Sequence, residues 1–467
     1  MSKKFFNSGQ HWVWLNAGAI SISIIMVVGL LLLIAVRGLS HFWPAEVKTF
    51  EVVQGNETLQ VMGEIHNIED DIQDGLERKQ YLVKMGNRDA YGLDFKWLDV
   101  KNITDTAVNE NAIVVERREW GNLYGFLTSV TKDGTVYKED TKALQDIIER
   151  ALDIHGEIRD IEKDDIGSIN YAMEQLRLEQ RLLELDGELT DAAQAEIDMR
   201  KAELQEEFLS YQEQLQELYT GIKRDTAEFT LIGGEKITLT AGNIVRAFQP
   251  NQMGFWAKLG HYFSKIGEFI FDEPREANTE GGVFPAIFGT VLMVLLMSIV
   301  VTPLGVVAAV YMREYAKQGP LTRTIRIAVN NLAGVPSIVY GVFGLGFFVY
   351  FLGGSIDELF YPEVSPSPMF GTPGLIWASL TLALLTLPVV IVSTEEGLAR
   401  IPKSIREGSL ALGATKFETL RKTVLPMASP AMMTGLILAV ARAAGEVAPL
   451  MLVGVVKLAP TLPLDAN

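Results

Sequence analysis

Charged residues are absent from long blocks of this chain and crowded into others. Ala17–Val36, "AGAISISIIMVVGLLLLIAV", is twenty residues without a charge, and about twenty apolar residues cross the hydrocarbon core of a bilayer. Four further apolar stretches follow: Gly281–Met312, Ile327–Gly354, Gly374–Thr394 and Ala431–Val456. Each is predicted as a membrane-spanning helix. Lys3 and Lys4 precede the first, and Trp12, Trp14, Phe42 and Trp43 bracket it as interfacial aromatics do. A cleaved signal peptide carries a shorter apolar region and a small-residue cleavage site, so a retained anchor is predicted. Pro285 and Pro303 lie inside the second stretch. Prolines are tolerated there when neighbouring helices re-satisfy the freed backbone groups, which favours a packed bundle.

Lys and Arg in the short loops set the orientation. Arg313–Arg326 carries four basic residues, and Glu395–Pro426 carries six. Ser355–Pro373, between them, has Asp357, Glu358 and Glu363 and no Lys or Arg. The alternation predicts a cytoplasmic N-terminus, an external segment over 41–280, and internal loops at 313–326 and 395–426.

The segment 47–140 reads as short strands: "KTFEVV", "QYLVKM", "GLDFKWL", "AIVVERREW" and "FLTSVT" are rich in β-branched and aromatic residues and separated by Gly, Asn and Asp. Phe229–Thr240 reads as a hairpin turning at Gly233-Gly234. Between these runs a helical tract is predicted over about 166–226, interrupted at Asp186–Asp191, with Asp191 and Gln194 as a capping box. Ile197, Leu204, Tyr211 and Leu218 recur every seven residues, and Phe208, Leu215 and Ile222 complete a coiled-coil seam. The tract is therefore read as a coiled-coil-like helical hairpin, serving either as a docking arm or as a spacer. Over about 254–271, Trp256, Leu259, Phe263, Ile266 and Ile270 fall at spacings of three and four, the pattern of an interfacial amphipathic helix. A buried helix of the external segment would show the same spacing.

Composition narrows the function. The 467 residues are 48% hydrophobic with a mean hydropathy of +0.18, a mixed membrane and aqueous chain. The net charge of −17 divides into +3 over 1–40, −22 over 41–280 and +2 over 281–467. The acidic block argues against nucleic acid, because binding phosphate backbones needs a basic face. With no cysteine and five scattered histidines, neither a thiolate nor a local His pair can hold a metal. A phosphate-binding G-x-x-x-x-G-K-[ST] loop is missing, since "GGEKIT" at Gly233–Thr238 lacks its spacing. No catalytic residue, cofactor or metal is expected.

"EEGLARIPKSIREGSLALGATKFETLRKTVLP" resembles the EAA loop of ABC importer permeases. Glu407-Gly408-Ser409 replaces Glu-Ala-Ala, Gly413 holds the family's glycine place, Leu425-Pro426 closes the motif, and Thr423 stands where the family usually has Ile. A short helix, a glycine turn where backbones approach closely and a second helix make a knob for a groove in an ATPase. "NLAGVPSIVYGVFGL" and "ARAAGEVAPLMLVG" are similar to the phosphate ABC permeases, PstA-type subunit family. The resemblance covers 281–467 well, the first anchor loosely and 41–280 not at all.

It implies a mainly α fold: a polytopic membrane helical bundle of the ABC importer permease type, with a large external α+β insertion at 41–280. It implies an inorganic phosphate importer of the bacterial inner membrane, with that insertion periplasmic. ATP hydrolysis then falls to a partner. The implied partners are a PstC-type second permease subunit, a cytoplasmic PstB-type ATPase dimer, a periplasmic phosphate-binding protein and membrane lipid. Glu407, Gly408, Gly413, Leu425 and Pro426 become the coupling residues. The family has one more helix after the Arg442 span, so a truncated sequence is expected. The rival reading is a membrane sensor or scaffold with a periplasmic ligand- or partner-binding domain. It accounts for the external segment but leaves the EAA loop unexplained.

Two charges lie inside the last apolar stretch. Arg442 and Glu446, four apart, share a helix face, and intramembrane ionisable groups usually line a polar path. The guanidinium fork suits an oxyanion, with Glu446 orienting it. Ser337 and Tyr340 are further candidates for the anion path. A purely structural ion pair between helices is the alternative.

Overall fold

The computed structural model describes residues 8–54, 57–73, 76–275 and 280–454. The chain divides into two compact units, Met1–Gly167 with Leu209–Gly282, and Ser168–Phe208 with Val283–Asn467. Five helices among the described residues are long and apolar enough to cross a membrane: His11–Ser40, Phe284–Tyr315, Ser337–Phe360, Leu375–Arg400 and Lys416–Ala444.

In the first unit, helix α1 (Gln10–Ser40) is apolar on all sides and exposed from Trp12 to Ser40, as a helix solvated by lipid must be. Its chain continues into a five-stranded antiparallel sheet. The strands β1 (Val47–Gln54), β2 (Glu57–Gln73), β3 (Leu76–Lys84), β4 (Phe95–Asp99) and β5 (Ile103–Val108) stand in the order β4-β3-β2-β1-β5. A second sheet, β10-β9-β7-β6-β11, takes β6 (Ile113–Arg117), β7 (Leu123–Lys132), β9 (Thr226–Thr230), β10 (Lys236–Thr240) and β11 (Ile244–Phe248), with β8 (Thr135–Lys138) added to β7. Period-two alternation decides which side chains meet. Phe50, Val61, Val83 and Leu98 fill the core of the first sheet. Ile113, Val115, Leu123 and Phe229 of the second receive Leu144, Ile147 and Ala151 from α2 (Thr141–Asp160).

The strand runs read from the sequence and the β9–β10 hairpin fall as expected, with Gly234 at φ 83° in its turn. The helical tract differs. It begins at Thr141, because the Asp140 carboxylate caps α2 by accepting from the Lys142 and Ala143 amides. It resumes as α3 (Ile166–Asp186) and α4 (Asp191–Gly221), and the chain is already in β9 at Thr226. The cap of α4 is Thr190, whose hydroxyl accepts from the Ala193 amide. Asp191 instead lies in the first turn, where a carboxylate complements the helix dipole. Ile197 and Leu215 of α4 and Ile222 just past its end are buried, and Leu204, Phe208, Tyr211 and Leu218 are half-buried. Gln180 of α3 bonds Gln194 and Lys201 of α4, and the Tyr219 hydroxyl late in α4 donates to Glu162 just before α3, so the two helices run antiparallel. The helix predicted over 254–271 is α5 (Phe255–Phe271).

The second unit centres on α10 (Leu375–Arg400), the most buried of the five long helices. It packs against α6 (Phe284–Val310) and α13 (Leu425–Ala444). Small residues permit the approach, as they do between helices in membranes. A Cβ on Gly305 would come within 2.7 Å of Val390, on Gly435 within 2.7 Å of Ser393, and on Gly397 within 2.4 Å of Ala431. The buried Ser379, Thr381 and Thr386 hydroxyls donate to carbonyls four residues back, which satisfies them where no water is at hand.

Two predicted spans are corrected. Ile327–Gly354 is not one helix. Residues 320–332 form a separate α7 (Pro320–Leu332), and the spanning helix runs from Ser337 to Phe360 as α8 (Ser337–Phe343), a π-helical run Gly344–Gly353 and α9 (Gly354–Phe360). Pro336 is extended, at ψ 136°, and Pro also disfavours helix at the residue before it. The last span begins at Lys416 rather than Ala431, because α12 (Lys416–Thr419), a π-helical run Leu420–Val424 and α13 follow without a break. It ends at Ala444, and a short α14 (Leu450–Val453) follows Pro449. The expected missing last helix concerns sequence outside the described residues.

Candidate functional site

The loop after α10 is a compact knob. Helix α11 (Lys403–Ala411) follows Pro402, and Gly413 reverses the chain at φ 90°. Nothing lies within 4 Å of a Cβ built there. The glycine is thus demanded by the left-handed backbone, and the close approach expected from the sequence is not the reason. Thr415 then starts α12 with a full capping box: its hydroxyl accepts from the Glu418 amide while the Glu418 carboxylate accepts from the Thr415 amide. A 2.9 Å hydrogen bond between the Ser409 and Thr419 hydroxyls ties the two arms.

The knob presents apolar side chains. Leu412 is 91% exposed, and Leu410 and Phe417 are also exposed. Glu407 and Gly408 lie on the exposed side of α11. Leu425-Pro426 opens α13 directly after the π-helical run. Proline lacks the amide for a regular helical bond there, and a widened turn is where a helix absorbs such a loss.

Sequence reasoning missed the residues that fix the knob. Arg406 donates to the Leu398 and Ile401 carbonyls, each at 2.8 Å, and pairs with Glu314 at 2.9 Å. It therefore caps the C-terminal end of α10 and ties α11 to the π-helical turn Tyr311–Tyr315 that ends the second span. Lys416 donates to the Glu314 carbonyl and lies 4.4 Å above the Tyr315 ring. Arg326 of α7 pairs with Glu395 of α10 at 2.5 Å. The exposed apolar pair flanking Gly413 was a usable sequence signal. The pairing of Arg406 with a glutamate 92 residues earlier had none.

Arg442 and Glu446 do pair, at 3.6 Å, but not within one helix. Arg442 occupies the last turn of α13, which stops at Ala444 with Gly445 as its cap, and Glu446 lies just beyond the helix. A cation in the last turn meets the negative end of the helix dipole, so the backbone itself supports Arg442. The segment carrying Glu446 is held against the third span, where a Cβ on Gly341 would come within 2.7 Å of the Pro449 Cα. Tyr340 is buried in the same core as Ala439 and Ala443, and its hydroxyl donates to the Leu332 carbonyl at 2.7 Å, closing the bend between α7 and α8. Ser337 is half-buried in the first turn of α8.

The comparisons with known proteins fall on this unit. Residues 301–462 match the family model of the binding-protein-dependent transport system inner membrane component. The resemblance to the PstA-type ABC permeases is thereby borne out over this part of the chain. The phosphate transport system permease protein PstA of Mycobacterium leprae is 38% identical over 175 residues, 37% of this chain and 52% of that protein. The probable ABC transporter permease protein YqgH of Bacillus subtilis is 34% identical over 194 residues, 41% and 59% of the two chains. Among solved structures, the MetNI methionine ABC transporter in inward-facing conformations aligns at 24% identity over 35% of this chain and 68% of that one, with a TM-score of 0.27. The chain spans less than two thirds of the length of the curated relatives it matches.

Proposed function

We propose that this chain is the transmembrane permease subunit of an ATP-driven inorganic phosphate importer in the bacterial inner membrane. The observation that carries the reading is the knob Lys403–Thr419. It is a rigidly capped turn that exposes Leu412 and Phe417 and is clamped by Arg406 to two membrane-spanning helices. Its companions are an ATPase dimer on the cytoplasmic face, a second permease of the PstC type and a periplasmic phosphate-binding protein. Phosphate as cargo is supported by the relatives named as phosphate permeases.

In this mechanism the ATPase seats the knob, and Glu407, Gly408, Gly413, Leu425 and Pro426 form or hinge its contact. Motion of the ATPase reaches α10 and α13 through their direct connections to the knob and reaches α6 through the Arg406–Glu314 pair. Arg442 offers a guanidinium fork to the anion, steadied by Glu446, with Ser337 beside the bend of the third span. Tyr340 holds that bend in shape. The N-terminus is cytoplasmic, residues 41–280 are periplasmic, and the α3–α4 hairpin is their coiled-coil-like arm. Labelled phosphate uptake into vesicles holding the assembled transporter tests the reading. Uptake should require ATP, and excess unlabelled phosphate should compete where sulfate does not.

A further inference from the structure

Helix α5 turns its charged side inward. A helix lying on a water-soluble domain buries its apolar stripe and exposes its charges, and α5 does the reverse. Glu268 is buried, accepting from Lys265 at 3.0 Å and from Arg275 at 2.5 Å, with Arg246 of β11 at 3.4 Å. Lys265 also pairs with Glu116 of β6 at 2.5 Å. The His261 ring packs on Phe248 of β11 at 4.3 Å between centroids. The polar side of α5 is thus fastened to the second sheet. On the other side Trp256 is 79% exposed, Phe263 63% and Phe271 70%, and Phe255 and Ile270 are exposed as well. Trp256, Phe263 and Ile270 are seven apart and form one stripe along the helix. Gly260 and Gly267 fall between them on that stripe, with nothing within 4 Å of a Cβ at either.

A second observation says what covers the stripe. Helix α1 leaves its apolar span at Ser40. Phe42 then packs on Phe269 of α5 at 5.3 Å, and Trp43 packs on Phe255 at 6.1 Å and Tyr262 at 5.9 Å. The two residues that mark the exit of the span from the bilayer are therefore in ring contact with α5, which puts the helix at headgroup depth. We propose that α5 lies in the interfacial layer of the membrane with its Trp256–Phe263–Ile270 stripe in lipid. The sheet behind it is thereby tied to the bilayer surface from which α1 emerges. A protein on the same stripe would cover the rings equally well but would leave the contact with the end of the span unexplained.

The absence of cysteine makes a single introduced thiol unique in this chain. Phe263→Cys carrying a polarity-sensitive fluorophore, in proteoliposomes of phosphatidylethanolamine and phosphatidylglycerol, should lose fluorescence to brominated lipid and little to aqueous iodide. The brominated-lipid series should place it about 5–10 Å below the headgroup surface. Trp256→Cys and Ile270→Cys should behave alike, giving three independent positions. Glu235→Cys, in the exposed turn between β9 and β10, should respond to iodide alone. Iodide quenching at Phe263→Cys equal to that at Glu235→Cys overturns the proposal. So does a site shielded from iodide yet insensitive to brominated lipid, because that result puts protein on the stripe.

Discussion

The Arg406 guanidinium is held by the Glu314 carboxylate at 2.9 Å while its other hydrogen bonds go to the Leu398 and Ile401 carbonyls. Both side chains are mostly buried. Truncating either leaves the other without its charge partner where water reaches it poorly, at a cost of about 1–3 kcal/mol. Arg406→Ala should lower the unfolding midpoint of the detergent-solubilised chain and reduce uptake. Arg406→Lys should recover part of the loss, since the charge stays and the fork goes. A cycle with Glu314→Ala should give a coupling of about 0.5–3 kcal/mol. Strictly additive single variants would mean that the pair transmits nothing.

Gly413 is tested by its backbone rather than by its surroundings. At φ 90° with open space around it, a branched or bulky residue strains the turn by about 1–2 kcal/mol. Gly413→Leu should insert normally and lose ATP-driven uptake. Gly413→Asn, which tolerates positive φ better, should keep more of it. Equal activity in the two variants would remove the backbone argument.

The exposed tip separates docking from folding. Leu412 and Phe417 contribute little to the core, so Leu412→Asp and Phe417→Asp should leave the melting temperature unchanged. The ATPase should no longer copurify with either variant. Retention of the ATPase by both would place the contact elsewhere.

Acid should loosen the β-rich unit in a defined window. Burial pushes His155 and His261 below the ordinary 6.5, aided at His261 by Arg246. For a histidine lowered in the folded state, the stability is present above 6.5 and is lost as pH falls toward the folded value. Burial alone would raise Glu268, but Lys265 and then Arg275 outweigh it and hold the carboxyl below its usual 4.5. Its contribution is lost only at still lower pH. Glu64 runs the other way, raised by burial, and blunts the loss in the carboxylate range. Burial, helped by Lys84, lowers His41 in the same way; unfolding midpoints recorded from pH 7 to pH 4 should fall first near 6.5, and a His155→Gln, His261→Gln double variant should shrink that first drop to the share His41 carries. An unchanged slope in the double variant would assign it to other groups.

What the sequence disclosed follows the range of the forces involved. The five apolar stretches, the strand runs and the Gly413 turn are local, so each was visible in a window of a few residues. The bend at Ala333–Pro336 was blurred because α7 and the third span adjoin without a charge after Arg326. The early start of the last span was hidden by Lys416, Arg421 and Lys422, which mimic a loop but belong to a continuous helix. The inward-facing polar side of α5 could not be read, since spacing gives a stripe and not the direction it faces. Arg406 with Glu314 depends on tertiary packing and leaves no periodic trace.

The proposed service of the anion by Arg442 is open to one direct measurement. Labelled phosphate uptake should be recorded with Arg442→Ala, Glu446→Ala and the double variant at matched membrane levels. A pair kept only for packing can be removed together at little cost, because neither charge is left uncompensated. The double variant should assemble, bind the ATPase and still fail to take up phosphate, as Arg442→Ala alone should. Wild-type uptake in the double variant would contradict it and place the anion path away from these two residues.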